Sequence, residues 1–290
     1  MPELPEVEGV VNSLKPVATG KTINEVKVSS VITHAHSQGR QAIVKGRSLQ
    51  QFCSDLAGAK IEQVVRRSKY IYFHLIKNNE QKLLVTHLGM TGAWFYVQHT
   101  EDVTEEKFRR HIHVQFQLDD DMILVYADIR RFGEMRLLDM ESQFPPLLLM
   151  APEPFEEIAL NHFLQMSLLP KYQQKSIKET IMDGQVISGC GNIYATEALF
   201  RMKIHPGRTV KRISEKRKVQ LFKEIVDVLN ESISAGGSSI SDYRNINGEA
   251  GNMQDRLQMY GKKICPSCHQ PVKQRVLGGR NSWYCSTCQR

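Results

Sequence analysis

The sequence has no apolar run approaching the roughly 18 consecutive residues that a membrane-spanning helix needs. Its opening, Met1-Pro2-Glu3-Leu4-Pro5-Glu6-Val7-Glu8, lacks both the basic stretch and the apolar core of a secretory signal. The expectation is therefore a cytoplasmic protein with no membrane association. There is no internal repeat and no low-complexity segment, which sets aside solenoids and disordered tails. Asp and Glu are absent from residues 256–290, where seven Lys and Arg fall. The rest of the chain holds 31 bases against 31 acids, so the whole formal excess of +7 sits in that C-terminal stretch. A basic segment of this kind suits a polyanion, of which nucleic acid is the commonest. The plainer reading is a basic tail that only aids solubility.

Of six cysteines, four are clustered as Cys265-x2-Cys268, sixteen residues, then Cys285-x2-Cys288. Without a secretory signal this spacing points to a tetrahedral zinc site at the open end of a hairpin, not to a disulfide framework. Cys53 and Cys190 stand alone and read as buried, inert thiols, and His269 reads as a surface histidine beside a ligand.

The length of 290 residues, 41% hydrophobic and 24% charged, fits two globular domains. Val7, Val10, Val11 and Leu14 form one apolar helical face after Pro5, and Pro16 is expected to stop that helix. Short alternating or apolar runs follow at 70–76, 83–85, 93–97, 112–118 and 122–126, separated by polar turns. With no helix between them, they predict antiparallel sheets in a sandwich. Residues 29–55 fit this poorly and read as a loop plus a helix around Leu49–Leu56. The prolines at 145, 146, 152 and 154 mark a linker over 141–155. Helical periodicity then covers 158–168, 176–182, 192–202 and 214–233, and the polar stretch 238–251 reads as a surface loop. The fold class is α+β, with 1–140 the sandwich, 156–255 the helical domain and 256–290 the hairpin.

Motifs along the whole chain resemble one family. They are Pro2-Glu3-Leu4-Pro5-Glu6-Val7-Glu8, Arg66-Arg67-Ser68-Lys69-Tyr70, His87-Leu88-Gly89-Met90-Thr91-Gly92 and Asp128-Ile129-Arg130-Arg131-Phe132-Gly133. Gly191-Asn192-Ile193-Tyr194-Ala195-Thr196-Glu197, Gly248-Glu249-Ala250-Gly251, Gln258-Met259-Tyr260-Gly261 and Arg280 before the second cysteine pair follow in order. Together they resemble the formamidopyrimidine-DNA glycosylases of bacteria, and Leu4 favours these over the related endonuclease VIII enzymes. The resemblance departs at Ala127 and Ile129 around Asp128, at Ala151, and at Ile112 between His111 and His113.

The resemblance implies a leading catalytic helix on the sandwich, a helix–two-turn–helix element and a zinc-finger hairpin. It implies excision of oxidised purines (8-oxoguanine and formamidopyrimidines) from damaged double-stranded DNA, followed by β,δ-elimination. Once Met1 is removed, Pro2 is a secondary amine with a pKa near 8, so a useful neutral fraction exists at neutral pH. Glu3 is implied as the proton-transfer residue and Glu6 as its support, one helical turn away. Lys69 and Arg280 complete the implied catalytic set. Base chemistry in a duplex requires extrusion of the nucleotide. Met90, Arg130 and Phe132 are implied to fill the gap, with Arg130 reading the opposite cytosine. Phosphate contacts are implied for Lys69, Asn192, Tyr260 and Arg280, and for His87 and Lys178. The stretch 238–254 corresponds to the loop that covers the lesion. One structural Zn2+ per chain, a monomer and a nucleoid location complete the expectation. The rivals are a glycosylase of shifted lesion preference and a non-catalytic, zinc-dependent protein that binds damaged DNA.

Overall fold

A computed structural model describes residues 2–239 and 245–290. Contacts divide the chain into two units, Met1–Leu148 with Gly236–Gly251, and Leu149–Ala235 with Asn252–Arg290. Among the described residues no helix is long and apolar enough to cross a membrane.

The first unit opens with α1 (Leu4–Ala18), entered through a reciprocal capping box between Glu3 and Glu6. Pro16 does not stop it, contrary to expectation. It lies in the last turn, where the amide it lacks would have paired with the exposed Asn12, and the helix closes at Thr19 N–H to Lys15 O. Then come β1 (Ile23–Val28), α2 (Ser30–Ser37), β2 (Ile43–Lys45), α3 (Leu49–Leu56), β3 (Lys60–Arg67), β4 (Tyr70–Lys77), β5 (Glu80–His87) and β6 (Gly92–Val97). After α4 (Glu106–Arg109) follow β7 (Ile112–Leu118), β8 (Ile123–Asp128), β9 (Glu134–Leu138) and α5 (Pro145–Leu148).

One sheet has the order β1-β7-β8-β6 and the other β2-β9-β5-β4-β3. All pairs are antiparallel except β2 with β9, which is parallel. The inner faces share one core with α1: Val7, Val10 and Leu14 pack among Phe73, Leu84, Trp94, Phe116 and Tyr126. The expected sandwich is present, but helices do interrupt its strands. The helix at Leu49–Leu56 is where it was expected, capped by Ser48 and Gln51. The expected loop before it instead holds α2, capped by Ser29, and β2.

The second unit contains α6 (Ala159–Leu168), α7 (Pro170–Gln173), α8 (Ile177–Ile181), α9 (Asn192–Arg201) and α10 (Glu215–Ser234). Two turns over 182–191 join α8 to α9, the expected helix–two-turn–helix arrangement. Every residue of α9 from Ile193 to Phe200 is buried, and Tyr194 O–H meets Ser232 Oγ of α10 at 2.6 Å. The chain ends in the hairpin β10 (Lys273–Leu277) and β11 (Arg280–Tyr284). Its turn is Gly278-Gly279, both with positive φ (55° and 70°), as a tight two-residue hairpin turn requires.

Candidate functional site

At the start of α1, Pro2, Glu3 and Glu6 are all buried. Glu6 is shared between two segments. Its Oε2 accepts from Glu3 N–H at 2.8 Å, and its Oε1 accepts from Ser238 N–H at 2.6 Å. Residues 236–251 therefore group with the sandwich and not with the helical domain to which the sequence reading gave 238–254. Residues 240–244, within the stretch 238–254 expected to cover the lesion, lie outside the described residues, as does Met1.

Strand register collects the next group at one end of the two sheets. Lys69 sits in the two-residue turn between β3 and β4, beside the register pair Arg67 and Tyr70. Tyr70 pairs with His87 on β5, their rings 4.9 Å apart. Burial, with the Lys69 ammonium nearby, pushes the His87 imidazole down to about 4. Its Nδ1 accepts from Gly89 N–H at 3.0 Å, which requires the neutral ring. His87 is thus a neutral group at the root of the following turn.

Two turns then meet. Gly92 pairs with Asp128 across β6 and β8, and Glu134 pairs with His87 across β9 and β5. The Leu88–Gly92 turn therefore lies against the Asp128–Gly133 turn. A Cβ on Gly89 would stand 2.5 Å from Gly133 N and Phe132 C, so the two backbones touch where only glycine fits. At the tips, an Arg130 guanidinium N–H reaches Met90 Sδ at 3.1 Å and the guanidinium lies 4.6 Å from the Phe132 ring centre. Phe132 is 59% exposed, Arg130 is exposed and Met90 half-buried. An apolar pair and a cation thus stand together outside the core.

In the second unit, Asn192 opens α9 and its Nδ2 donates to Asn281 O on β11 at 3.0 Å, beside Arg280. Arg280 is exposed immediately after the hairpin turn. Tyr260 is half-buried, its ring 4.3 Å from Trp283. Lys178 requires a correction. It is completely buried, and its Nζ donates to Thr196 Oγ1 at 2.8 Å, with Thr196 in turn bonding Asn192 O at 2.7 Å. It braces the first turn of α9 from inside and presents no charge at the surface.

The four clustered thiols converge as expected. All four sulfurs lie within 4.8 Å of one another, with Cys265 and Cys288 at 3.9 Å and Cys268 and Cys285 at 3.4 Å. Tetrahedral zinc with sulfurs at about 2.3 Å spaces them about 3.8 Å apart, so the donor set and spacing fit that ion. His269 is exposed and outside this cluster. Cys190 is buried, whereas Cys53 is only half-buried, with its thiol pushed up by burial.

Residues 1–135 match the family model described as the formamidopyrimidine-DNA glycosylase N-terminal domain, and residues 150–244 match the H2TH domain of the same enzymes. A formamidopyrimidine-DNA glycosylase of Bacillus licheniformis is 37% identical over 294 residues, with all of both chains covered. The chain belongs to the formamidopyrimidine-DNA glycosylase family. The enzyme of Halalkalibacterium halodurans is 38% identical, again with all of both chains covered. Among solved structures, a variant of Lactococcus lactis Fpg in complex with DNA containing Fapy-dG superposes with a TM-score of 0.83 at 30% identity, covering 100% of each chain. MutM (Fpg) of Thermus thermophilus gives 0.82 at 32% identity, covering 99% of this chain and 98% of that one.

The departures from the formamidopyrimidine-DNA glycosylase pattern are absorbed by packing. Ala127 is buried and Ile129 half-buried in a small cluster with Phe95 and Phe108. Ala151 is buried and its N–H donates to Gly184 O at 2.8 Å. Sequence reasoning quoted Asp128 and Glu197 within motifs but gave neither a part. Asp128 is fully buried, accepting from Thr91 Oγ1, Arg130 N and Gly133 N. Glu197, also fully buried, accepts from the backbone N–H groups of Gln258, Met259 and Tyr260. The available signal was an acid in a tight turn for the first, and a lone acid in a mostly apolar helix for the second.

Proposed function

We propose that this chain is a base-excision DNA glycosylase with lyase activity at the resulting abasic site, acting as a monomer on damaged duplex DNA. The observation that carries the reading is the cluster of Met90, Arg130 and Phe132. Chain segments some forty residues apart bring these side chains together at the surface, where core packing has no need of them. Apolar wedges and a guanidinium are the groups needed to fill the space of an extruded nucleotide and to hold its partner base.

With Met1 removed, the Pro2 nitrogen attacks C1′ of the deoxyribose, the base leaves, and an iminium joins protein to sugar. Glu3 serves proton transfer at the sugar and departing base, and its own backbone amide is held by Glu6. The iminium acidifies the C2′ proton, so elimination of the 3′ and then the 5′ phosphate follows. Lys69, Asn192, Tyr260 and Arg280 contact phosphates. Cys265, Cys268, Cys285 and Cys288 would hold a structural zinc, which closes the open end of the hairpin that presents Arg280. Oxidised purines opposite cytosine are the proposed substrates.

Borohydride trapping tests the reading. Wild type should become covalently joined to duplexes carrying 8-oxoguanine opposite cytosine or an abasic site, Pro2→Gly should not, and intact mass should show that Met1 is lost. Absence of any covalent product from wild type across a panel of oxidised purines, oxidised pyrimidines and abasic sites would leave only a DNA-binding protein.

A further inference from the structure

Asp128 is completely buried at the point where the two wedge-bearing turns meet. Its Oδ1 accepts from Thr91 Oγ1 at 2.6 Å, across from the Met90 turn. The same oxygen accepts from Arg130 N–H at 3.2 Å, while Oδ2 accepts from Gly133 N–H at 2.7 Å. Thr91 Oγ1 in turn accepts from Arg130 N–H at 2.9 Å. Asp128's own backbone is fixed by N–H donation to His111 O at 3.0 Å and by pairing with Gly92. Between the two gripped amides, Arg131 is held in left-handed backbone (φ 55°), a conformation that persists only where the surroundings over-determine it.

We propose that Asp128 is a positioning residue that joins the Met90 turn and the Arg130–Phe132 turn into one rigid element. This rests on the reading above, in which those three side chains enter the duplex. The physical reason is the division of donors. A carboxyl group that only satisfied its own turn would bond residues downstream of it. Asp128 bonds those and also a hydroxyl 37 residues upstream, next to Met90. Losing it would leave each turn hydrogen-bonded to its own strand but free to shift relative to the other. The Arg130 fork would then lose its fixed height above Met90 and with it the discrimination of the opposite base.

The test uses Asp128→Asn, which sets an amide N–H against the Thr91 hydroxyl or the Gly133 amide, and Thr91→Val, which removes only the hydroxyl. Thr91→Ser keeps the hydroxyl and serves as the conservative control. Single-turnover excision is measured on duplexes with 8-oxoguanine opposite cytosine and opposite adenine, beside trapping at a ready-made abasic site in single-stranded DNA, which needs no wedge. Displacement of a reacting geometry by about 1 Å costs roughly 100-fold in rate. That loss is expected opposite cytosine for Asp128→Asn and Thr91→Val, with a narrowed cytosine-to-adenine ratio, unchanged single-strand trapping, and wild-type behaviour of Thr91→Ser. Should Asp128→Asn not fold, Thr91→Val decides alone. Parallel loss of both reactions, or an unaltered cytosine-to-adenine ratio, overturns the inference. A wild type that traps nothing overturns the functional reading, and with it this one, and is told apart by that control.

Discussion

Replacing Glu197 by alanine tests how a single helix residue sets the segment that carries Tyr260. Its Oε2 accepts from Gln258 N–H at 2.7 Å, and its Oε1 accepts from Met259 and Tyr260 N–H at 2.9 and 2.7 Å. Hydrogen bonds to a charged group contribute about 1.5–3 kcal/mol each, but simple addition would overshoot. Removing the carboxylate also removes its own desolvation penalty, which runs to several kcal/mol for a buried ion. The net effect is therefore set by the donors left behind. Met259 is fully buried, so its orphaned amide costs the full penalty of about 1–3 kcal/mol, while water can reach the exposed Gln258 and half-buried Tyr260. The expected destabilisation is about 1–3 kcal/mol. Urea unfolding followed by circular dichroism measures it, and amide hydrogen exchange at 258–260 locates it. A loss below about 1 kcal/mol, less than a single orphaned buried amide costs, with those amides still protected, would refute the reasoning.

Three further outcomes follow from the geometry. Arg280→Ala should lower the slope of log affinity against log salt by about 1, because the proposed phosphate contact of this exposed side chain is removed; an unaltered slope counts against that contact. Lowering pH from about 6.5 toward 4 should weaken the fold, because the unfolded His87 takes up a proton that the buried ring, held down to about 4, refuses. His87→Asn should flatten that decline without abolishing it, since burial also lowers His113 and His205; equal pH dependence in urea unfolding of variant and wild type would sink the assignment. Chelation should release one zinc per chain and weaken DNA binding, with increased hydrogen exchange confined to residues near 262–290; unchanged exchange there would show that the thiols do not need the metal.

The sandwich, the helical unit and the thiol site were legible because each rests on a local pattern: alternation in the strands, apolar spacing in α9 and α10, and cysteine spacing. The α2 helix escaped notice because only Ile32 of its eight residues is buried, so it has no apolar face to read. β2 escaped because three residues carry no period, and its parallel partner β9 lies about ninety residues away. Lys178 was expected at a phosphate, and nothing local reveals that Thr196, a turn into the next long helix, receives its ammonium. The contribution of Glu197 rests on backbone amides some sixty residues away, and that of Asp128 on a hydroxyl from another turn, which side-chain identity alone does not encode.

Because Gly236–Gly251 belongs with Met1–Leu148, the sandwich is not a contiguous piece of gene. A fragment ended at Leu148 would strip Glu6 of the Ser238 amide that donates to its Oε1 at the start of α1. Dissecting this molecule by truncation would thus damage the half that is kept, and an isolated sandwich would have to carry 236–251 as a grafted insert to be a fair sample of the whole.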